Sequence, residues 1–383
     1  MAIGWAALAP GCGREPPANV QPGDPLPGLS VVEVERFHRG RALFEHGFTP
    51  EEGLGPLFIE DRCASCHDLP APGGTGVEDL LLASRFRPPG ECDLLTDEGG
   101  PVIQQQVTPL LRERGIDGEV LPRRATAAQL FAPLLYGLGL VEAIPERAIL
   151  SLEDPEDLDG DGISGRARRT ADGRLGRFGR KAAVATLREM VDAAAGIELG
   201  LTTSAHRAEE RVNGRPVPPG ADPAPDPEIG DSTLDVWSDF VRFLAPPARK
   251  TLSARAERDS ARRGQRVFYQ IGCDDCHVPA MQTGRSDIPA LDRKTVLLYS
   301  DMLLHDLGQE MAGVCDEAAS PTELRTARLW GLRHLPGYMY DRRASSLHES
   351  VMLHGGEGSA SRERFRRLRV SEQLYLFAFL NSL

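Results

Sequence analysis

The pattern Cys-x-x-Cys-His occurs twice, as "CASCH" at 63–67 and "CDDCH" at 273–277, and it restricts what the chain can be more than any other feature. The two-residue gap sets a pair of thiols at the separation of the two vinyl groups of a haem. The histidine that follows is carried over the face of the macrocycle to bind the iron. With 7 cysteines and 9 histidines in 383 residues, a single copy arises by chance roughly 0.003 times. Two cysteine pairs could instead make a four-thiolate zinc site. Zinc ribbons, however, keep their pairs tens of residues apart, and a histidine after each pair would be a coincidence. A thioredoxin-like redox pair wants a βαβ setting that the sequence does not offer. The motifs therefore predict two covalent haem c groups, one on Cys63, Cys66 and His67 and one on Cys273, Cys276 and His277. Attachment of c-type haem takes place outside the bacterial inner membrane, so a periplasmic protein is expected.

Three cysteines remain. "MAIGWAALAPGC" opens the chain with a short apolar stretch and small residues before Cys12, but without a basic region. Read as the end of a lipoprotein signal, it makes Cys12 a lipid anchor to the membrane; read otherwise, it is a disordered end with an incidental cysteine. Cys92 and Cys315 are either a disulfide, which an oxidising compartment would allow, or two buried thiols. No other stretch approaches the ~20 apolar residues of a membrane span. The net charge of -12 excludes a nucleic-acid partner and a polybasic membrane patch.

Residues 13–30 are rich in proline and glycine and read, with the leader, as a tether over 1–30. Six prolines in the nineteen residues 213–231 rule out a helix there. A linker at 205–231 then separates an N-terminal haem domain, 31–204, from a C-terminal one, 232–383. "STLDVWSDFVRFL" places Val236, Trp237, Phe240, Val241 and Leu244 on one helical face, and "SEQLYLFAFLNSL" places Leu374, Phe377 and Ala378 on another. Strand-like alternation is scarce. The expected fold is mainly α: two cytochrome c-like haem domains with long loops, given 40 glycines and 30 prolines. The halves echo each other. "GRALF" (40–44) and "GQRVF" (264–268) precede the two motifs, and "LLYGL" (134–138) and "RLWGL" (328–332) follow them, as in a diverged duplication.

"DLDGDGISG" (157–165) alternates Asp157, Asp159 and Asp161 before the turn glycine Gly162. This is the first half of an EF-hand loop, without the glutamate at its twelfth position, and a Ca2+ site is expected there. Arg177 and Lys181 in "GRFGRK" are candidates to pair with haem propionates.

From residue 32 to the end, "GLGPLFIEDRCASCH", "LLYGLGLVEAIPE", "DLDGDGISGR", "GRFGRKA", "YSDMLLHDLG", "RLWGL" and "HGGEGSASRERF" occur in order. Together they resemble the di-haem oxidoreductase family of peroxidases, also called thiol oxidoreductase-like proteins. That family is similar to bacterial di-haem cytochrome c peroxidases and to the MauG group. In the peroxidase relatives, a Met, or a Tyr in the MauG type, ligates the second haem fourteen residues after a His-Asp-Gly turn. Here Tyr340 stands where that His would be, and fourteen residues on is His354, which the resemblance makes the sixth ligand. His305, Met352 and Met302 are the alternatives. The sequence also departs from the family at Ala327-Arg328 and at Arg180. No His or Met closely follows His67, and the resemblance makes the first haem the peroxide site. Glu142 is expected to move the proton, with Gln129 as a polar neighbour, and Trp330 to lie between the haems. The implied function is reduction of hydrogen peroxide with electrons from a small cytochrome c or cupredoxin. The alternatives are a non-enzymatic di-haem electron carrier and a MauG-like oxidation of a protein partner.

Overall fold

The computed structural model describes residues 20–87 and 90–383; Cys12, and with it the lipid-anchor reading, lies outside them. Five helices of more than ten residues carry the frame: α1, Val31–Glu45; α2, Leu187–Leu199; α3, Asp231–Phe243; α4, Arg255–Gln270; and α5, Val370–Leu380. Two of them begin at full capping boxes, Ser30 with Glu33 and Thr186 with Glu189, in which side chain and backbone satisfy each other's orphan N–H groups. The amphipathic face of α3 is buried as its spacing predicts, through Leu234, Trp237, Phe240 and Val241. Each such side chain stabilises the fold by about 1.5–3 kcal/mol.

The duplication read from the sequence is a duplication of architecture. Gly40 of α1 packs on α3, where a Cβ would run into the carbonyl of Val236 and lie 2.8 Å from Phe240 Cβ. Gly264 of α4 packs on α5 in the same way, against the carbonyl of Tyr375 and 2.8 Å from Phe379 Cβ. After each motif, a glycine with positive φ starts a short helical turn, Gly137 at 75° and Gly331 at 74°. Gly137 N–H donates to Leu244 O (3.0 Å) just past α3, and Gly331 N–H donates to Leu383 O (3.3 Å) just past α5. Each unit is thus a helix, a Cys-x-x-Cys-His turn, a glycine turn and a closing helix.

This packing corrects three expectations. First, α3 closes the first unit, against α1 and α2, so the boundary expected at 232 separates it from the elements it packs on; the units instead meet at 245–254. Second, order does not begin at Val31: Val20 and Leu26 are buried, and Leu26 N–H donates to Phe243 O (2.7 Å). Third, the fold is mixed α/β and not mainly α: among the described residues 33% are helix and 14% strand. The strand content centres on an insertion in the first unit, an antiparallel sheet of β1 (Asp79–Arg87), β2 (Glu91–Asp93) and β3 (Thr126–Phe131) in the order β2-β1-β3. Leu82 lies opposite Ala128, and Phe86 lies opposite Cys92. Strand β1 opens on three consecutive leucines and so lacks the period-two signal, and most other strands are only two or three residues long. A Cys92–Cys315 disulfide ties the sheet to the second unit.

Candidate functional site

Each Cys-x-x-Cys-His motif folds as one helical turn, Cys63–Cys66 and Cys273–Asp275. His67 N–H donates to Cys63 O (3.1 Å) and His277 N–H donates to Cys273 O (2.9 Å), so the two motifs share one backbone geometry. All four cysteines are free thiols, half-buried, with pKa values pushed up first by burial. Among the described residues the two pairs do not converge on a common point, as a four-thiolate zinc site requires.

Three histidines share a further feature. Nδ1 of His67 donates to Gly74 O (2.9 Å), that of His277 to Tyr299 O (2.9 Å), and that of His354 to Ser350 O (2.7 Å). In His277 and His354 a backbone carbonyl on Nδ1 fixes the tautomer and leaves the Nε2 lone pair free, the arrangement behind a metal-bound imidazole, whereas the His67 ring also bonds the Pro133 carbonyl. Burial favours the neutral ring in all three and lowers the pKa of His277 to about 4.

His277 and His354 face one another across a cavity of about 270 Å³. Their ring centroids are 6.4 Å apart. Two metal–nitrogen bonds of about 2 Å, added to the radii of two imidazole rings, span about that distance. Cys273 and Cys276 line the same cavity, as do Phe131–Leu134 of the first unit. A second cavity, near Tyr340, holds about 30 Å³, room for about one water. The neighbouring ring of His67 is Phe44, 6.2 Å away, which has no atom to offer a metal.

The arginines at the large cavity are Arg325, Arg328, Arg342 and Arg362. Arg328 is the telling one. Among the described residues its buried Nε has no partner, and burial with Arg325 nearby lowers its pKa to about 9. A guanidinium desolvated beside another cation calls for an anion, and the carboxylates of a haem supply that chemistry. Nη2 of Arg328 donates to Leu134 O (3.2 Å), and Nε is left over; the donor set, the facing imidazoles and that Nε all fit a haem. Arg177 and Lys181 do not reach this cavity: Arg177 donates to Val141 O (3.2 Å), and Lys181 Nζ donates to Ser320 O (2.5 Å) and Glu323 O (2.6 Å). The arginines that do line it sit in phrases without charge periodicity, so only the departure at Arg328 marked the place.

Trp330 lines the cavity and stacks under Arg328, whose Cζ is 5.6 Å from the ring. A Cβ at Gly137 of the first unit would stand 2.9 Å from the indole, so Trp330 spans the join between the units. His305 also lines the cavity, but both its nitrogens are taken: Nε2 by Asp301 (2.8 Å) and Nδ1 by Glu357 (2.6 Å). Burial works against its charge, and the bonds to Asp301, Cys276 and Glu357 outweigh it, pushing the pKa to about 12. It is a fixed imidazolium. Met302 is buried against Arg325, 3.6 Å from Nη1, and neither it nor Met352 lines the cavity.

Glu142 and Gln129 are not brought together. Glu142 Oε1 accepts from Leu187 N–H (2.7 Å) at the start of α2, and Oε2 accepts from Arg242 Nε (3.1 Å). Gln129 is exposed on β3, opposite Leu81. In the Asp-rich loop, Asp157 and Asp159 gather with Asp154, while Asp161 falls outside that group and accepts from Ile163 N–H (2.8 Å). Ser164, just beyond, donates through N–H (3.0 Å) and Oγ (3.1 Å) to Glu357, so the loop is tied to the segment that carries His354.

A family model described as "Di-haem oxidoreductase, putative peroxidase" matches residues 125–383, about two thirds of the chain. The chain belongs to the di-haem oxidoreductase family. The match contains the second motif and His354; the first motif lies before it and is assigned by its own pattern. No curated protein matches the chain. Among solved structures, hydrazine synthase of Kuenenia stuttgartiensis aligns over 100% of both chains at 14% identity with a TM-score of 0.42. A MauG-like protein associated with microbial copper homeostasis aligns over 65% of this chain and 89% of its own, at 17% identity and a TM-score of 0.34. This member of the di-haem oxidoreductase family is a redox protein with two haem groups. Among the described residues, no helix is long and apolar enough to cross a membrane.

Proposed function

We propose that the protein reduces hydrogen peroxide at its first haem with electrons that a small cytochrome c or cupredoxin delivers to its second. The observation that carries this is the asymmetry of the two sites. His277 is met by a second, half-buried imidazole with a free Nε2, whereas the ring beside His67 is a phenylalanine. Bound haem supplies one-electron chemistry at iron, and an iron with an open position accepts peroxide while a six-coordinate one transfers electrons. In this reading Cys63 and Cys66, and Cys273 and Cys276, form the thioether attachments. His67, His277 and His354 would supply the imidazoles, and Arg325, Arg328 and Arg342 would meet the propionates. Trp330 holds the units in contact where electrons would cross. Asp154, Asp157 and Asp159 would hold a Ca2+ behind the His354 segment. Covalent haem and the Cys92–Cys315 disulfide both favour an exported protein.

Electron paramagnetic resonance of the oxidised holoprotein tests the reading. One high-spin and one low-spin signal are expected, with cyanide binding one haem per chain. His354→Ala should convert the low-spin signal to high-spin. Two low-spin signals, with no cyanide binding or peroxide turnover in either the oxidised or the half-reduced protein, would leave an electron carrier in place of a peroxidase.

A further inference from the structure

The proline-rich segment expected to be a linker folds back on the end of α2. Ile229 N–H donates to Thr202 O (3.1 Å), and Thr202 N–H donates to Glu228 Oε2 (2.6 Å). This fold brings Glu209, Asp222, Asp226 and Glu228 together, with one carboxylate oxygen of each within 4.8 Å of the others. The important observation is what these oxygens lack. Both oxygens of Glu209, and Oε1 of Glu228, are each less than 1 Å² accessible and meet no N–H or hydroxyl donor among the described residues; the group that Glu209 and Glu228 do meet is another carboxyl, that of Asp226. Thr202 serves only Glu228 Oε2 and Asp226 Oδ1, the latter at 2.9 Å. Asp226 is exposed and the other three residues are half-buried, but carboxylate oxygens shut away from water without a donor are disfavoured, and more so where four carboxylates share one point, unless a positive charge stands among them.

We infer that Glu209, Asp222, Asp226 and Glu228 form a Ca2+ site that fastens the 204–228 segment to the first haem unit. The donors are all carboxylate oxygens, without the nitrogen or sulfur that zinc prefers. Four carboxylates offer up to eight oxygens, and Ca2+ takes about 6–8 at about 2.3–2.6 Å; Mg2+ keeps several waters and seldom uses an all-protein cage. Oxygens on opposite sides of one Ca2+ are about 5 Å apart, so a single ion can touch all four groups. The site is separate from the Asp154–Asp157–Asp159 group and stands independently of the haem assignments.

The test uses the full-length holoprotein stripped of calcium with EGTA and titrated with CaCl2 alone, by calorimetry at pH 7.5. Glu209→Gln should bind one Ca2+ fewer per chain than the native protein, and Asp157→Asn/Asp159→Asn should leave that Ca2+ in place. Arg207, Arg211 and Arg215 are exposed to trypsin in the same segment. Ca2+ should slow cleavage there at least tenfold in the native protein and leave the rate unchanged in Glu209→Gln. Asp222→Asn repeats the test if Glu209→Gln fails to fold. No calcium uptake, uptake unaffected by both Glu209→Gln and Asp222→Asn, or native cleavage at 204–228 indifferent to Ca2+ would each overturn the site.

Discussion

Histidines that line one cavity here have opposite uses, and the partner on each nitrogen decides which. His277 and His354 give Nδ1 to a carbonyl and keep Nε2 free, whereas His305 spends both nitrogens on carboxylates. His305 therefore acts as a clasp between Asp301 and Glu357, three residues beyond His354. Its folded pKa is raised, so the stability it gives is in full force below the unfolded value near 6.5 and is lost only as pH rises through about 12. His305→Gln should lower stability by about 3 kcal/mol across neutral pH, because it leaves two buried carboxylates without their cation. Urea unfolding of the holoprotein reads this, and the low-spin signal should survive; loss of that signal with unchanged stability would make His305 the ligand instead. Glu142 is bound at both oxygens, so Glu142→Gln, which keeps an acceptor for Leu187 N–H but gives up the Arg242 ion pair, should cost about 1–2 kcal/mol. Peroxide turnover should fall less than tenfold. A fall of ~10² or more without loss of stability is the signature of a proton-moving residue and would restore that role.

At the scale of elements, the inserted loops behind the sheet are held by another buried carboxylate. Glu119 accepts from Gln104 N–H (3.0 Å) and Asn213 N–H (2.8 Å), which joins the insertion to the proline-rich segment. Burial outweighs these bonds and raises its pKa to about 7. The native state then holds a proton that the unfolded chain has already released, so stability falls as pH rises from about 4.5 to about 7 and levels above that. The difference corresponds to about 3 kcal/mol. Urea midpoints from pH 4.5 to 8 should slope downward in the native protein and less steeply in Glu119→Gln; parallel slopes would place the titration elsewhere. Glu119 also marks the limit of sequence reading. The haem turns, the two pre-motif helices and the glycine turns were legible because each is a short local signal with one backbone solution. The sheet was not, since β1 begins as a leucine run, and neither was the attachment of α3 to the first unit, since prolines mark a break in helix but do not say where the chain goes next. The cavity arginines and Glu119 are set by partners far away in sequence, and no local pattern announces them.

At the scale of the molecule, two units of one architecture are joined by a short segment and a wall of shared contacts. Trp330 reaches Gly137, Phe131 N–H donates to Tyr340 O (3.2 Å), and Arg342 crosses to Gly76 O (2.5 Å) and lies over the Phe131 ring at 4.1 Å. Arg342 and Phe131 also line the large cavity, so a change in the packing of the units would open that cavity to water. The Cys92–Cys315 disulfide guards the join. It closes 223 residues of chain, and Cys315 N–H donates to Ser84 Oγ (2.9 Å), which sets the bond beside the sheet. A cross-link over so long a loop removes much of the unfolded chain's freedom, worth about 2–5 kcal/mol. Cys92→Ser/Cys315→Ser should therefore lower the unfolding free energy from urea titration by about 2–5 kcal/mol, and the native protein should match it when unfolded under dithiothreitol. The thioether attachments are not disulfides and would survive the reductant, so haem content reports any collateral damage. The substitution touches neither the haem turns nor His354. If the disulfide only staples a join that packing already fixes, the spin states stay as in the native protein while stability drops. If the low-spin signal is lost together with stability, the disulfide instead holds the second unit in the conformation that presents His354 to His277.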